Sequence, residues 1–286
     1  MRIYWKLVTI ILDVGHILEP VYIVPKRTTL LFAYLKIRIK ASLNRFFHFH
    51  EEHFLGFTVS VLDYDIFLAI FRQVFVRNVY YVNTKNKAPT IIDCGGNMGM
   101  TVLYWKYLFP ESKVTVFEPS REVVGVLRNN IAQNKLQNIR VVEAAVSNRE
   151  GRASMYMRGA AACGNTLSSS INDATINKES GSYEVETVKL SRFIETEIDI
   201  LKMDIEGAEG MVCDEIMKAG KFACIKELVM EYHYYPQEPT NSLSSLLDTL
   251  KKSYFESQIY FEEYDPTQQI SLSRNGSYAA MLRAVR

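Results

Sequence analysis

Six acids and one histidine lie in motifs that a folded chain can bring to one place. Asp93 precedes the glycine turn of IIDCGGNMGMT, and Glu118 ends the run KVTVFEP. MDIEGAE carries Asp204, Glu206 and Glu209, while MEYHYYP carries Glu231 and His233. Gly95, Gly96 and Gly99 permit positive φ and let a ligand approach the backbone closely. No lysine follows the turn, which argues against a P-loop. The dinucleotide spacing also fails, because counting from Gly95 its required positions fall on Asn97 and Met100. Asp93 would repel a pyrophosphate but can accept hydrogen bonds from an ammonium or a ribose. Glu118, one strand-helix unit later, stands where a carboxylate can receive both hydroxyls of a ribose. Two acids and a phosphate-free turn suit a nucleoside cofactor that carries an amino acid.

The second group of acids suits proton handling. Asp204 and Glu206 fall where a strand turns into a helix, at the mouth of a sheet. Glu209 opens that helix, where an acid also interacts favourably with the dipole and can serve simply as a cap. Glu231 and His233 alternate with Tyr232 and Tyr234, so they share a side if the strand persists. A neutral His233 could take a proton from a hydroxyl near neutral pH; a structural, hydrogen-bonded histidine is the other reading. Asp204, Glu206 and Glu231 could instead gather Mg²⁺ through oxygen ligands, although no metal is expected.

The elements that must position these residues alternate from Thr90 onward. TIIDC, KVTVFEP and NIRVVEAAV read as strands separated by the helices MGMTVLYWKYLF and REVVGVLRNNIAQN. That order argues for a parallel sheet covered on both faces. NREGRASMYM and SYEVETVKL read as strands enclosing a long polar loop. The loop, between Gly159 and Gly181, suggests a cap over a site. IDILKMD, a helix through GAEGMVCDEIMKAG, IKELVMEYH, a helix from Leu243 to Lys252 and two late strands complete the pattern. Before Pro89, GFTVSVL suggests a strand and DYDIFLAIFRQVF a single helix. TKNKAPT, ending in Pro89, is the expected boundary between an N-terminal accessory region (1–88) and the main domain (89–286).

IIDCGGNMG, VFEPS, VVEAAVSNREG, ILKMDIEGAE and ELVMEYH, in this order, resemble the class I S-adenosylmethionine-dependent methyltransferases, and more closely their FkbM family. The resemblance covers about residues 56 to 286. It implies an α/β fold: a Rossmann-like, seven-stranded, mostly parallel sheet with an antiparallel last strand and helices on both faces. It implies S-adenosylmethionine as cofactor, with the block Gly95, Gly96, Asn97 and Gly99 around the methionine portion. Glu118, beside Pro119, would take the ribose hydroxyls, and Ala144, Ala145 and Val146 would border the adenine. Asp93 and Asp204 would attend the cofactor's polar end, leaving His233, Glu206 and Glu231 for catalysis. Many relatives carry alanine where this chain has Gly96. The implied activity is O-methylation of a hydroxyl on a sugar, glycan or related metabolite. Tyr183, Tyr232, Tyr234, Tyr235 and the loop near Cys163 to Ser170 are candidates for an acceptor pocket. The alternatives are a catalytically inactive cofactor-binding protein and an NAD-linked oxidoreductase, which the glycine spacing and Asp93 oppose.

The 286 residues are 48% hydrophobic and 23% charged, which excludes whole-chain disorder. Thirty-three basic against 32 acidic side chains give no general case for a nucleic-acid partner. Four dispersed cysteines without a CxxC pair argue against a zinc knot and for a reducing, cytoplasmic setting. The opening MRIYWKLVTIILDVGHILEP is too short and too polar to span a bilayer, which needs about 20 apolar residues. A buried or docking segment, with peripheral membrane contact as the alternative, is expected there. His48, His50 and His53 cannot all share one face of a regular element, so no metal site is expected among them.

Overall fold

The structure, a computed structural model, describes residues 2–19, 26–156, 181–234, 242–253, 255–260 and 278–286. Two helices open the chain, α1 (Arg2–Leu18) and α2 (Arg27–Phe47). Leu30, Ala33, Tyr34 and Ile37 recur at helical spacing along α2 and are buried. A hairpin, β1 (Glu51–Phe54) with β2 (Phe57–Ser60), leads to α3 (Tyr64–Phe71). Asp63 caps α3 by accepting from the amides of Asp65 and Ile66, both at 2.9 Å. The single helix expected over DYDIFLAIFRQVF is interrupted: after Phe71 the backbone widens into a π-helical turn, Arg72–Val76. Arg72 at its start meets the buried Asp13 of α1, Nε to Oδ2 at 2.5 Å, which Tyr34 also reaches at 2.7 Å. These contacts tie both opening helices to the body.

The alternating section gives β3 (Thr90–Cys94), α4 (Met100–Leu108), β4 (Lys113–Phe117), α5 (Arg121–Gln133) and β5 (Ile139–Val142). The run NIRVVEAAV splits: β6 (Ala145–Ser147) leaves the main sheet and joins β7 (Gly151–Tyr156) and β8 (Ser182–Lys189) in a three-stranded sheet. There follow β9 (Ile198–Met203), α6 (Glu209–Lys218), β10 (Ile225–Tyr234), α7 (Leu243–Lys252), β11 (Glu256–Tyr260) and β12 (Tyr278–Val285). The main sheet has seven strands in the order β11-β12-β10-β9-β3-β4-β5. The five strands from β10 to β5 are parallel, and β12 is antiparallel to β10. This is the class I methyltransferase arrangement expected from the sequence. The proposed cap between Gly159 and Gly181, with Cys163 to Ser170, falls almost wholly outside the described residues, as does Tyr235.

Neighbouring residues of one strand enter different cores, as strand alternation requires. Ile91 and Ile200 join Val114, Val116, Trp105 and the aromatic side chains of α3, together with Tyr34 of α2. Ile92 and Leu201 face Phe117, Val212 and Ile216 of α6 and Leu246 of α7. The N-terminal elements therefore share a core with one face of the sheet, while α6 and α7 cover the other. No helix among the described residues is long and apolar enough to cross a membrane.

Candidate active site

Strand order reverses about β3, whose neighbours β4 and β9 lead the chain in opposite directions along the sheet. A crevice forms beyond the carboxyl ends of strands at such a switch point. Here it is an open cavity. Following the strand order β9, β3, β4, β5, its wall presents Asp204 and Glu206, then Gly95 and Asn97, then Glu118 to Ser120, then Ala144 to Val146. Phe117, Met155 and Tyr183 add to the lining. One end is acidic and the other largely apolar.

The glycine turn is fixed by close backbone approach. Gly95 has φ +85°, and a Cβ there would lie 1.9 Å from the carbonyl oxygen of Asp204. Gly96 has no room either: a Cβ would sit 2.1 Å from Cγ2 of Val116, so alanine does not fit this packing. The amides of Gly95 and Gly96 both donate to the carbonyl of Phe117, at 3.0 and 2.9 Å, which joins the turn to β4. Asp93 lies beneath this turn and does not line the cavity. It is fully buried, accepts from the hydroxyl of Thr101 and faces Nζ of Lys202 at 3.2 Å. Lys202 donates to the carbonyl of Gly95 at 2.6 Å. Burial alone would strip its proton, but Asp93 and Asp204 outweigh that and keep the ammonium charged.

Glu118 does line the cavity, and its two oxygens are already oriented. Oε2 accepts from the amide of Asn97 at 3.0 Å and Oε1 from that of Ser120 at 2.9 Å. Each oxygen retains acceptor capacity for a further donor. Burial pushes the carboxyl up to about 7, against the lowering effect of those two amides and of Lys202.

The second group is assembled from β9, α6 and β10. Glu206 adopts φ +53° and Gly207 φ +102°, a sharp turn between β9 and α6. Glu209, fully buried, holds this turn by accepting from the amides of Ile205 at 3.2 Å and Gly207 at 3.1 Å. The same carboxylate meets Nδ1 of His233 at 3.0 Å, so Glu209 is both the cap and the support of the imidazole. Nε2 of His233 lies 3.6 Å from Glu206 and 3.7 Å from Glu231. Burial opposes charge on the ring, but Glu206, Glu209 and Glu231 together raise its pKa well above the ordinary value. Three acids around the ring therefore favour its charged form over the neutral imidazole expected from sequence. Asp204, Glu206 and His233 each bring a ligand-type atom within 4.8 Å of the others.

Of the residues singled out from sequence, Gly95, Asn97, Glu118, Pro119, Ala144, Ala145, Asp204 and Glu206 meet at one cavity. His233 and Glu231 are not on the cavity wall, while Gly96 and Gly99 serve packing and the helix entry. Three contributors were missed. Lys202 is a charge inside the apolar run IDILKMD, a signal that sequence does carry. Tyr80 and Gln73 come from before Pro89. The buried Tyr80 hydroxyl donates to Asp204 at 3.2 Å and to Glu231 at 3.3 Å. Gln73, within the π-helical turn, donates to Glu231 at 2.8 Å. Irregular turns of this kind often stand at functional sites.

Comparison with known proteins fits this architecture. The family described as Methyltransferase FkbM domain matches residues 93–257. Methyltransferase 1 of Beauveria bassiana (strain ARSEF 2860) is 22% identical over 157 residues, covering 49% of this chain and 63% of the relative. Methyltransferase sdnD of Sordaria araneosa is 30% identical over 83 residues, 29% of this chain and 32% of the relative. The chain thus spans less than two thirds of either relative. Among solved structures, methyltransferase FkbM from Methylobacillus flagellatus KT aligns at 13% identity with a TM-score of 0.47, covering 98% of this chain and 58% of that one.

Proposed function

Because the chain belongs to the FkbM methyltransferase family, we propose that it O-methylates a hydroxyl of a sugar, glycan or related metabolite. S-adenosylmethionine is the cofactor, and the cavity wall suits it in the order the sheet sets. Asp204 and the Gly95–Asn97 turn offer acceptors and close backbone for the amino-acid end, Glu118 offers two oriented acceptors for ribose hydroxyls, and Ala144 to Val146 offer an apolar border for adenine. Bound there, the cofactor supplies a methyl group on a sulfonium, whose C–S bond breaks as the acceptor's O–C bond forms.

The observation that carries the acceptor reading is Glu206 on the cavity wall with Nε2 of His233 3.6 Å from it. Glu206 receives the hydroxyl proton. The imidazolium, held by Glu209, fixes the direction of that carboxylate, while Tyr80 and Gln73 hold Glu231 in place. The residues must bring the hydroxyl oxygen into line at about 3–3.5 Å from the methyl carbon. Methyl-labelled S-adenosylmethionine, incubated with a panel of free and glycosidically linked hexoses, tests the reading. Label should appear in an alkali-stable ether, which separates a hydroxyl acceptor from a carboxylate one. In Glu206→Gln, single-turnover transfer should fall by about 10²- to 10⁴-fold while affinity for S-adenosylhomocysteine holds. Tight cofactor binding with no transfer to any hydroxyl in the panel would favour a cofactor-binding protein without turnover.

A further inference from the structure

We propose that the outer faces of α1 and α2 seat this protein on an anionic lipid bilayer. Large apolar side chains exposed to solvent are concentrated there. Of the 12 such residues among the described ones, ten lie on these two helices. On α2 the stripe runs Phe32, Leu35, Ile39, Leu43 and Phe46, spaced at three or four residues, so it forms one continuous face. Phe32 is 73% exposed, Ile39 62% and Phe46 64%. At 100° per residue this arc lies opposite the buried arc of Leu30, Tyr34 and Ile37. An outward face more apolar than a solvated helix needs calls for a covering surface. On α1, Leu7, Ile11 and Leu18 form a second exposed stripe.

Charge identifies what covers it. Residues 1–47 contain eight Lys and Arg against two acids, Asp13 and Glu19, a net of +6. The remaining residues hold 25 basic and 30 acidic side chains, a net of −5, so a chain near neutrality overall is strongly segregated. Arg38 and Arg45 flank the α2 stripe. Apolar side chains at the acyl boundary with Lys and Arg among anionic headgroups is the arrangement of an interfacial helix. A second copy would place +6 against +6, and a nucleic acid would leave the Phe, Leu and Ile stripe unburied. Both helices are tied to the body: Asp13 pairs with Arg72 at 2.5 Å, and Lys36 and Lys40 pair with buried Glu52 at 2.6 and 2.8 Å.

Co-sedimentation of the full chain with vesicles of phosphatidylcholine, alone or with added phosphatidylglycerol, tests this without reference to methyl transfer. Binding should appear with phosphatidylglycerol and weaken with salt. Combined Phe32→Ser, Ile39→Ser and Phe46→Ser should reduce partitioning by at least about tenfold. Arg38→Glu with Arg45→Glu should remove the preference for the anionic lipid. Both variants should bind S-adenosylhomocysteine as the unaltered chain does, which shows that the fold survives. Equal recovery in the supernatant with and without anionic vesicles overturns the proposal. So does a dimer dissolved by the triple serine variant, or retention on a mixed-sequence RNA in place of lipid.

Discussion

The two halves of the cavity are built differently. At the ends of β3 and β4 the site is backbone: glycines pressed against Asp204 and Val116, and a carboxylate clamped by two amides. At the ends of β9 and β10 it is charge, with four acids around one imidazolium and one ammonium, drawn from segments up to 158 residues apart. In the first half the glycines leave no room for an added Cβ. The second depends on the balance of its charges. If the cofactor lies as proposed, close packing positions it and charge acts at its reactive end.

The sharpest way to break this contrast is to add one methyl group to the rigid half. Gly95→Ala places a Cβ 1.9 Å from a backbone oxygen in a left-handed conformation. Strain of about 1–3 kcal/mol and overpacking of about 1–3 kcal/mol should both be felt. We expect S-adenosylhomocysteine binding to be lost in calorimetry and thermal unfolding to begin earlier. Normal affinity in this variant would mean that the turn does not contact the cofactor.

The charged half should respond through rate. His233→Asn removes the positive charge beside Glu206 with little change of volume. Misdirection of Glu206 should lower single-turnover transfer by about 10²-fold, with cofactor affinity nearly unchanged. An unaltered rate would show that the ring only packs.

The smallest effects probe the clamp. Glu118→Ala should weaken S-adenosylhomocysteine binding by about 1.5–3 kcal/mol, as expected for a charge-assisted contact. Because burial holds Glu118 up to about 7, its charged form increases as pH rises through neutrality. Hydroxyl donors bind the charged form better, so affinity should increase across about pH 6–8, and Glu118→Gln should flatten that slope. Lys202 and Asp204, the charged groups that also act on it, remain in both proteins. Linkage gives stability the opposite sign: a carboxyl whose folded pKa is raised loses stability as pH climbs from its unfolded value to about 7.

Much of this was legible in the sequence where local rules suffice. The strand and helix order from Thr90, the exact span of α7 and the positions of Glu118 and Glu206 follow from periodicity and from acids ending apolar runs. The run NIRVVEAAV was not divisible by such rules, because β6 leaves the main sheet through pairing with β8, a partner 42 residues later. The helices α1 and α2 were obscured by their outer apolar stripes, which blur the contrast between buried and solvated faces.

Sequence by itself determined the family, the parallel sheet and the chemical types present at its mouth, since each is written in contiguous residues. Tertiary structure decided the depth and charge of those groups. Asp93 lies under the turn because Lys202 and Thr101 hold it there. The pKa of His233 is raised because β9, α6 and β10 bring three acids to it, and Glu231 is held by Gln73 and Tyr80 from the far side of Pro89. Burial and the electric field at a side chain sum over every neighbour in space, and no neighbour more than a few residues away is fixed by local spacing.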